Sequence, residues 1–153
     1  MYRKKYVNAR YIELDSSLTD DASSQVQEEL DLDAMLKLSD ETFSCMLDRM
    51  RHERKLSAAD LYKAAWVHKS VYSKIMSNIH YKPAKITAIA FAIALKLPWD
   101  ELLQLVGSAG YSMTRTSKFD IVIEYFVKNQ KYSIEEINST LFNLDPNLPL
   151  IGC

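Results

Sequence analysis

Between Arg49 and Lys85 the chain carries nine bases, Arg49, Arg51, Arg54, Lys55, Lys63, Lys69, Lys74, Lys82 and Lys85, against two acids, Glu53 and Asp60. A net of +7 in so short a stretch suits an anionic partner, because clustered ammonium and guanidinium groups neutralise phosphate and release its counterions. The preceding stretch has the opposite sign. Residues 11–48 hold eleven acids (Glu13, Asp15, Asp20, Asp21, Glu28, Glu29, Asp31, Asp33, Asp40, Glu41, Asp48) against the single base Lys37, a net of −10. The formal charge of −1 for all 153 residues hides both blocks. A basic run is also what a solvated helix surface looks like, and that reading stays open beside the first.

Other reactive residue types form no such constellation. His52, His68 and His80 are far apart and lack the paired spacing of a zinc site, and Cys45 and Cys153 have no metal-ligand spacing either. Cys45 falls on the apolar side of a predicted helix, where a thiol is a small buried hydrophobe, and a disulfide is not expected. His52 and Glu53 are adjacent, so they point to different sides of a helix and make no catalytic pair. No nucleophile has an evident base. With glycine only at 107, 110 and 152, the glycine-rich phosphate loops of nucleotide enzymes are excluded. The residues therefore predict no catalytic group, no metal and no cofactor, with a helical nuclease built from scattered Arg, His and Asp as the enzymatic alternative.

The elements that position the basic stretch read as helices throughout. Tyr2 to Leu14 suits a short strand or a basic arm, and Ser16 to Asp33 is acidic, serine-rich and poor in large apolar residues, which predicts a mobile linker. Ser39 and Asp40 are candidate N-caps for a first helix over 41–53 with Phe43, Met46, Leu47 and Met50 on one face. Ser57 and Asp60 have capping-box spacing for a second helix reaching about Ala65. A third, His68 to Asn78, turns Val71, Ile75 and Tyr72 inward. Pro83 fits the first turn of a fourth, whose buried stripe is Ile86, Ile89, Ala90, Ile93, Ala94 and Leu97. Pro98 opens a fifth from Trp99 to Val106, ending at Gly107. Ser117 to Asn129 is apolar on most sides, which suits a helix covering the core or a dimer contact, and the capping pair Ser133 and Glu136 starts a last helix before Pro146 and Pro149.

A tight link between a second and a third short helix is how repressors present one helix to the major groove. Leu56-Ser57-Ala58-Ala59-Asp60-Leu61 resembles the start of the second helix of the Xre/Cro-type, lambda-repressor-like helix-turn-helix family, and Val67-His68-Lys69-Ser70-Val71-Tyr72-Ser73-Lys74-Ile75 is similar to its turn and recognition helix. Tyr81-Lys82-Pro83 through Ala90, Ala94-Leu95-Lys96-Leu97 and Asp100-Glu101-Leu102-Leu103 resemble its fourth and fifth helices. About 65 of the 153 residues are covered. Two positions depart from the pattern. Tyr62 stands where the family prefers alanine, and Trp66 replaces the usual glycine of the turn, bulk that would open the angle between the two helices.

The resemblance implies an all-α, lambda-repressor-like five-helix bundle with a flexible acidic N-terminal segment and two additional C-terminal helices. Its divisions are an arm and linker at 1–38, a helix-turn-helix domain at 39–113 and an extension at 114–153 that packs on the core or mediates dimerisation. It implies a DNA-binding transcriptional regulator of bacterial or phage type, cytoplasmic, with no membrane span, reading pseudo-palindromic duplex DNA as a homodimer through a recognition helix at about 68–78. Lys69, Ser70 and Lys74 would face base edges, His68 would sit near phosphate, Ser73 would belong to the same DNA-binding set, and Lys82, Lys85, Arg54 and Lys55 would position the backbone. The alternative is a non-enzymatic adaptor that reuses the fold and docks a protein partner through Tyr62, Trp66, Tyr125 and Phe126. Aromatics at such spacing are also ordinary core residues, or stacking platforms for single strands.

Overall fold

A computed structural model of the chain describes residues 30–152; the Tyr2 to Leu14 arm, most of the Ser16 to Asp33 linker and Cys153 lie outside the described residues. The chain divides into two units after Ser39. The described part of the first is one short helix, α1 (Leu32–Lys37), started by the Asp31 side chain accepting from the Asp33 N–H at 3.1 Å. It overlaps the end of the segment expected to be a linker. None of its residues is buried, and Leu32 and Leu36 stand exposed.

The second unit contains α2 (Phe43–Glu53), α3 (Ala58–Ala64), α4 (Lys69–Ser77), α5 (Lys85–Ala94), α6 (Trp99–Ser108), α7 (Lys118–Lys128) and α8 (Ile134–Leu144). All eight elements among the described residues are helices, so the expected all-α bundle of five helices plus two is what forms. None is long and apolar enough to cross a membrane. The caps explain most of the starts. Ser57 and Asp60 form the full reciprocal capping box of α3, and Ser117 and Ser133 accept from the Asp120 and Glu136 N–H groups at the starts of α7 and α8. The first core helix differs from expectation: Thr42 caps α2, not Ser39 or Asp40, and its hydroxyl accepts from the Cys45 N–H. Cys45 itself is exposed, because the buried face is set by Phe43, Met46, Leu47 and Met50 and leaves position 45 outside it. Pro83 lies one residue before the Ala84 N-cap of α5 rather than in its first turn. Helix α6 runs through Gly107 and stops where Gly110 takes a φ of 91°.

Helix endings reveal a local rule that composition hides. Lys55, Trp66, Lys96 and Gln130 all adopt positive φ, between 54° and 58°, at the ends of α2, α3, α5 and α7. In each case the next residue's N–H reaches back to the carbonyl five positions earlier: Leu56 to Arg51, Val67 to Tyr62, Leu97 to Ala92 and Lys131 to Phe126. This is the Schellman closure usually given to glycine. A side chain there costs about 1–2 kcal/mol each, offset where the following residue buries itself, as Val67 and Leu97 do.

The core sits around α5, whose residues Ala88 to Ile93 are all buried. A helix that is apolar all round needs neighbours on every side. Helices α6 and α3 pack on it, α2 and α7 pack on α6, and α8 packs on α7. Four aromatic rings bridge the helix-turn-helix region to this centre. Tyr62 of α3 meets Tyr72 of α4 at 5.7 Å between centroids, Tyr72 meets Phe91 of α5 edge-on at 6.1 Å, and Phe91 meets Phe43 of α2 at 6.5 Å. The bulk at position 62 is thus accommodated as a ring pair between α3 and α4.

Candidate nucleic-acid interface

Helix α4 is amphipathic by necessity: Tyr72 and Ile75 face the core, Val71 and Met76 are half-buried against it, and the remaining positions are left to solvent. Those positions are Lys69, Ser70, Ser73, Lys74 and Ser77, all exposed. Steps of three and four residues put them on one side of the helix. Ser77 was absent from the sequence-derived set, although it lies four residues beyond Ser73; its hydroxyl donates to the Lys74 carbonyl at 3.2 Å.

His68 is the N-cap. Its Nδ1 accepts the Ser70 N–H at 3.1 Å and lies 2.7 Å from the Ser70 hydroxyl, so one exposed imidazole satisfies a backbone donor that has no partner inside the helix. The opposite side of α4 has a different electrostatic character. Burial pushes the Tyr72 phenol up, with Arg51 pulling it partly back, and Arg51 is itself raised by its hydrogen bond to Asp48. Arg51 also donates to the Leu56 carbonyl at 2.8 Å, tying the end of α2 to the start of α3.

Space separates the basic run into two sets. Arg49 is paired with Glu41 and Glu53, Arg51 with Asp48, Arg54 with Glu101 at 3.0 Å, and Lys85 with Asp120 at 2.8 Å. Most of these acids come from outside residues 49–85, so the +7 of the sequence is partly cancelled in the fold. Arg54 and Lys85, both expected to position phosphate, spend their charge internally. Lys55, Lys63, Lys69, Lys74 and Lys82 are exposed and form no ion pair with the described residues. Lys63, on α3, was counted in the run but not singled out from sequence; its exposure is its signal.

The aromatic candidates also divide. Phe126 is 5 % exposed and belongs to the core, Tyr62 is half-buried on Tyr72, and Trp66 and Tyr125 are about half exposed, at 49 % and 54 %. Tyr125 lies beneath the Lys131 ammonium, 5.9 Å from the ring centroid. Among the described residues no cluster of three His, Cys, Asp or Glu side chains is placed to hold a metal ion.

No curated protein and no solved structure matches the chain. Residues 47–102, from the middle of α2 into α6, match the family model described as helix-turn-helix, in keeping with the short helices α3 and α4 joined by the turn at Trp66.

Proposed function

We propose that the chain binds duplex DNA as a transcriptional regulator, with α4 entering the major groove. The observation that carries this reading is the outer face of α4: Lys69, Ser70, Ser73 and Lys74 are all exposed, the face holds no acid, and neither lysine is engaged by one among the described residues. Lysine donates to guanine O6 and N7 and serine to several base edges, so the chemistry suits readout. His68 at the helix start and the exposed Lys55, Lys63 and Lys82 supply sequence-independent attraction to phosphate. A homodimer on a pseudo-palindromic site follows from the geometry by which such modules gain affinity.

Titration of the protein against the DNA upstream of its own gene and against random duplex of equal length, at two salt concentrations, tests the reading. Specific binding that weakens with salt and is lost in Lys69→Ala/Lys74→Ala, with non-specific binding reduced far less, is the expected result. Equal losses on both duplexes would remove base readout, and binding to neither would remove DNA.

A second reading, a protein-docking adaptor, is favoured by one observation. Ile121 and Tyr125, four residues apart on α7, are 45 % and 54 % exposed among the described residues, a half-exposed apolar and aromatic pair. Co-purification of one discrete protein that survives nuclease treatment, and is lost in Ile121→Ser/Tyr125→Ser, would favour it over DNA.

A further inference from the structure

Among the described residues Trp66 is the one aromatic held at positive φ, 58°, and it sits in the turn that precedes α4. Its neighbours Ala65 and Val67 are buried, so the turn is anchored from inside. From outside it is met by a segment far along the chain. Gly152 lies so close that a Cβ on it would stand 2.9 Å from the Trp66 Cβ and 3.2 Å from the Ala65 carbonyl oxygen. Its own φ of 86° admits glycine most readily.

The contact is built, not incidental. Ile151, the preceding residue, is buried, and the side chain of Asn138 on α8 holds its backbone at both ends: Asn138 Nδ2 donates to the Ile151 carbonyl at 3.0 Å, and the Ile151 N–H donates to Asn138 Oδ1 at 2.9 Å. One amide side chain thereby satisfies two backbone groups that burial would otherwise leave unpaired. The base of α8 is fixed in turn, since Tyr132 just before it donates to the Leu97 carbonyl at 2.8 Å. A continuous line of contacts runs from Asn138 through Ile151 and Gly152 to Ala65 and Trp66, two residues before the N-cap of α4.

We infer that Asn138 is a positioning residue for the recognition helix: it clasps Ile151–Gly152 against the Ala65–Trp66 turn and so fixes the conformation from which α4 starts. The functional half of this inference rests on the DNA reading above; the structural half does not.

The full chain carrying Trp99→Phe leaves Trp66 as the only indole. In that background Asn138→Ala releases the clasp, and Gly152→Ala breaks it independently by introducing the clashing Cβ. Expected in both are stronger acrylamide quenching of Trp66 and faster amide exchange over residues 66–72, with exchange in Ala88 to Ile93 unchanged. Specific DNA affinity should fall roughly 2- to 30-fold. Unchanged quenching and exchange in folded variants would overturn the clasp, as would a rise in exchange that includes α5 equally, since that is global loosening. Altered exchange with undiminished specific affinity would overturn the positioning role. If the parent protein binds no DNA, the DNA reading fails alone, and the exchange pattern still decides the clasp.

Discussion

The Lys85 ammonium and the Asp120 carboxylate face each other at 2.8 Å, with Asp120 only 2 % exposed. Lys85 opens α5 and Asp120 lies in the first turn of α7, so the pair joins the helix-turn-helix module to the helices that follow it. Asp120 Oδ2 also accepts from Lys85 at 2.9 Å and from the Thr114 N–H at 2.8 Å; Oδ1 is close to the ammonium but off the line of a hydrogen bond, and its attraction is electrostatic.

Removal of the two partners should have unequal effects. Lys85→Ala leaves a buried carboxylate without its counter-charge and is expected to cost about 3–5 kcal/mol. Asp120→Ala leaves a lysine that can turn to water, together with one unmet backbone N–H, and should cost about 1–3 kcal/mol. Urea denaturation of both variants and of the double mutant checks the order; equal losses would contradict it.

The same pairing separates two lysines that sequence treated alike. Lys82→Ala should lower the salt slope of DNA binding by about 1, the signature of one lost phosphate contact. Lys85→Ala, in a form stable enough to titrate, should leave that slope unchanged. Affinities measured over a range of salt concentrations give both numbers.

Helix endings supply a stability prediction. Lys96→Gly relieves a positive φ of 54° on an exposed side chain and is expected to stabilise the protein by about 1 kcal/mol. Trp66→Gly relieves similar strain but forfeits the indole against Gly152, so its gain should be smaller or reversed. Thermal melts of the two variants make the comparison.

Within the core, Phe91→Ala removes the ring that joins Tyr72 to Phe43 and should cost about 3–5 kcal/mol. Near-ultraviolet circular dichroism should lose tyrosine signal with it, since Tyr72 loses its edge-on partner.

Acid stability should carry the mark of Glu124. Its hydrogen bond to Lys128, with a second from Arg115, holds this carboxyl below its ordinary value, against an opposing effect of burial. A depressed folded-state value gives a contribution that is complete above the ordinary value of 4.5 and disappears as pH falls through the folded one. The stability difference between the parent and Glu124→Gln should therefore be flat from neutral pH down to about 5 and shrink below it.

Much of the fold was legible because it is local. The capping box at Ser57 and Asp60 and the apolar stripe of α5 are each written within a few neighbouring residues. The corrections came where local signals compete or where distance intervenes. Ser39 and Asp40 are both good cap residues, yet α2 starts later, capped by Thr42 immediately before the buried Phe43 and Ser44. Arg54 and Lys85 read as free bases because Glu101 and Asp120 lie 47 and 35 positions away. Of the proposed site, Lys69, Ser70, Ser73 and Lys74 came from the family resemblance, and the fold leaves all four exposed on α4. The clasp was not legible: nothing at Asn138 or Gly152 announces the Trp66 turn until the chain is folded.

The ring series from Tyr62 through Tyr72 and Phe91 to Phe43 has a thermodynamic consequence for any encounter. Because α4 is already seated on that stack, binding need not order its backbone, and the ordering cost falls mainly on the exposed side chains. Fixing a lysine-length side chain costs about 0.5–1.5 kcal/mol, whereas fixing backbone costs about 1–2 kcal/mol per residue. Association through this face should therefore proceed with little change in helical content and without the large heat-capacity decrease of coupled folding, the thermodynamic profile of a preformed surface.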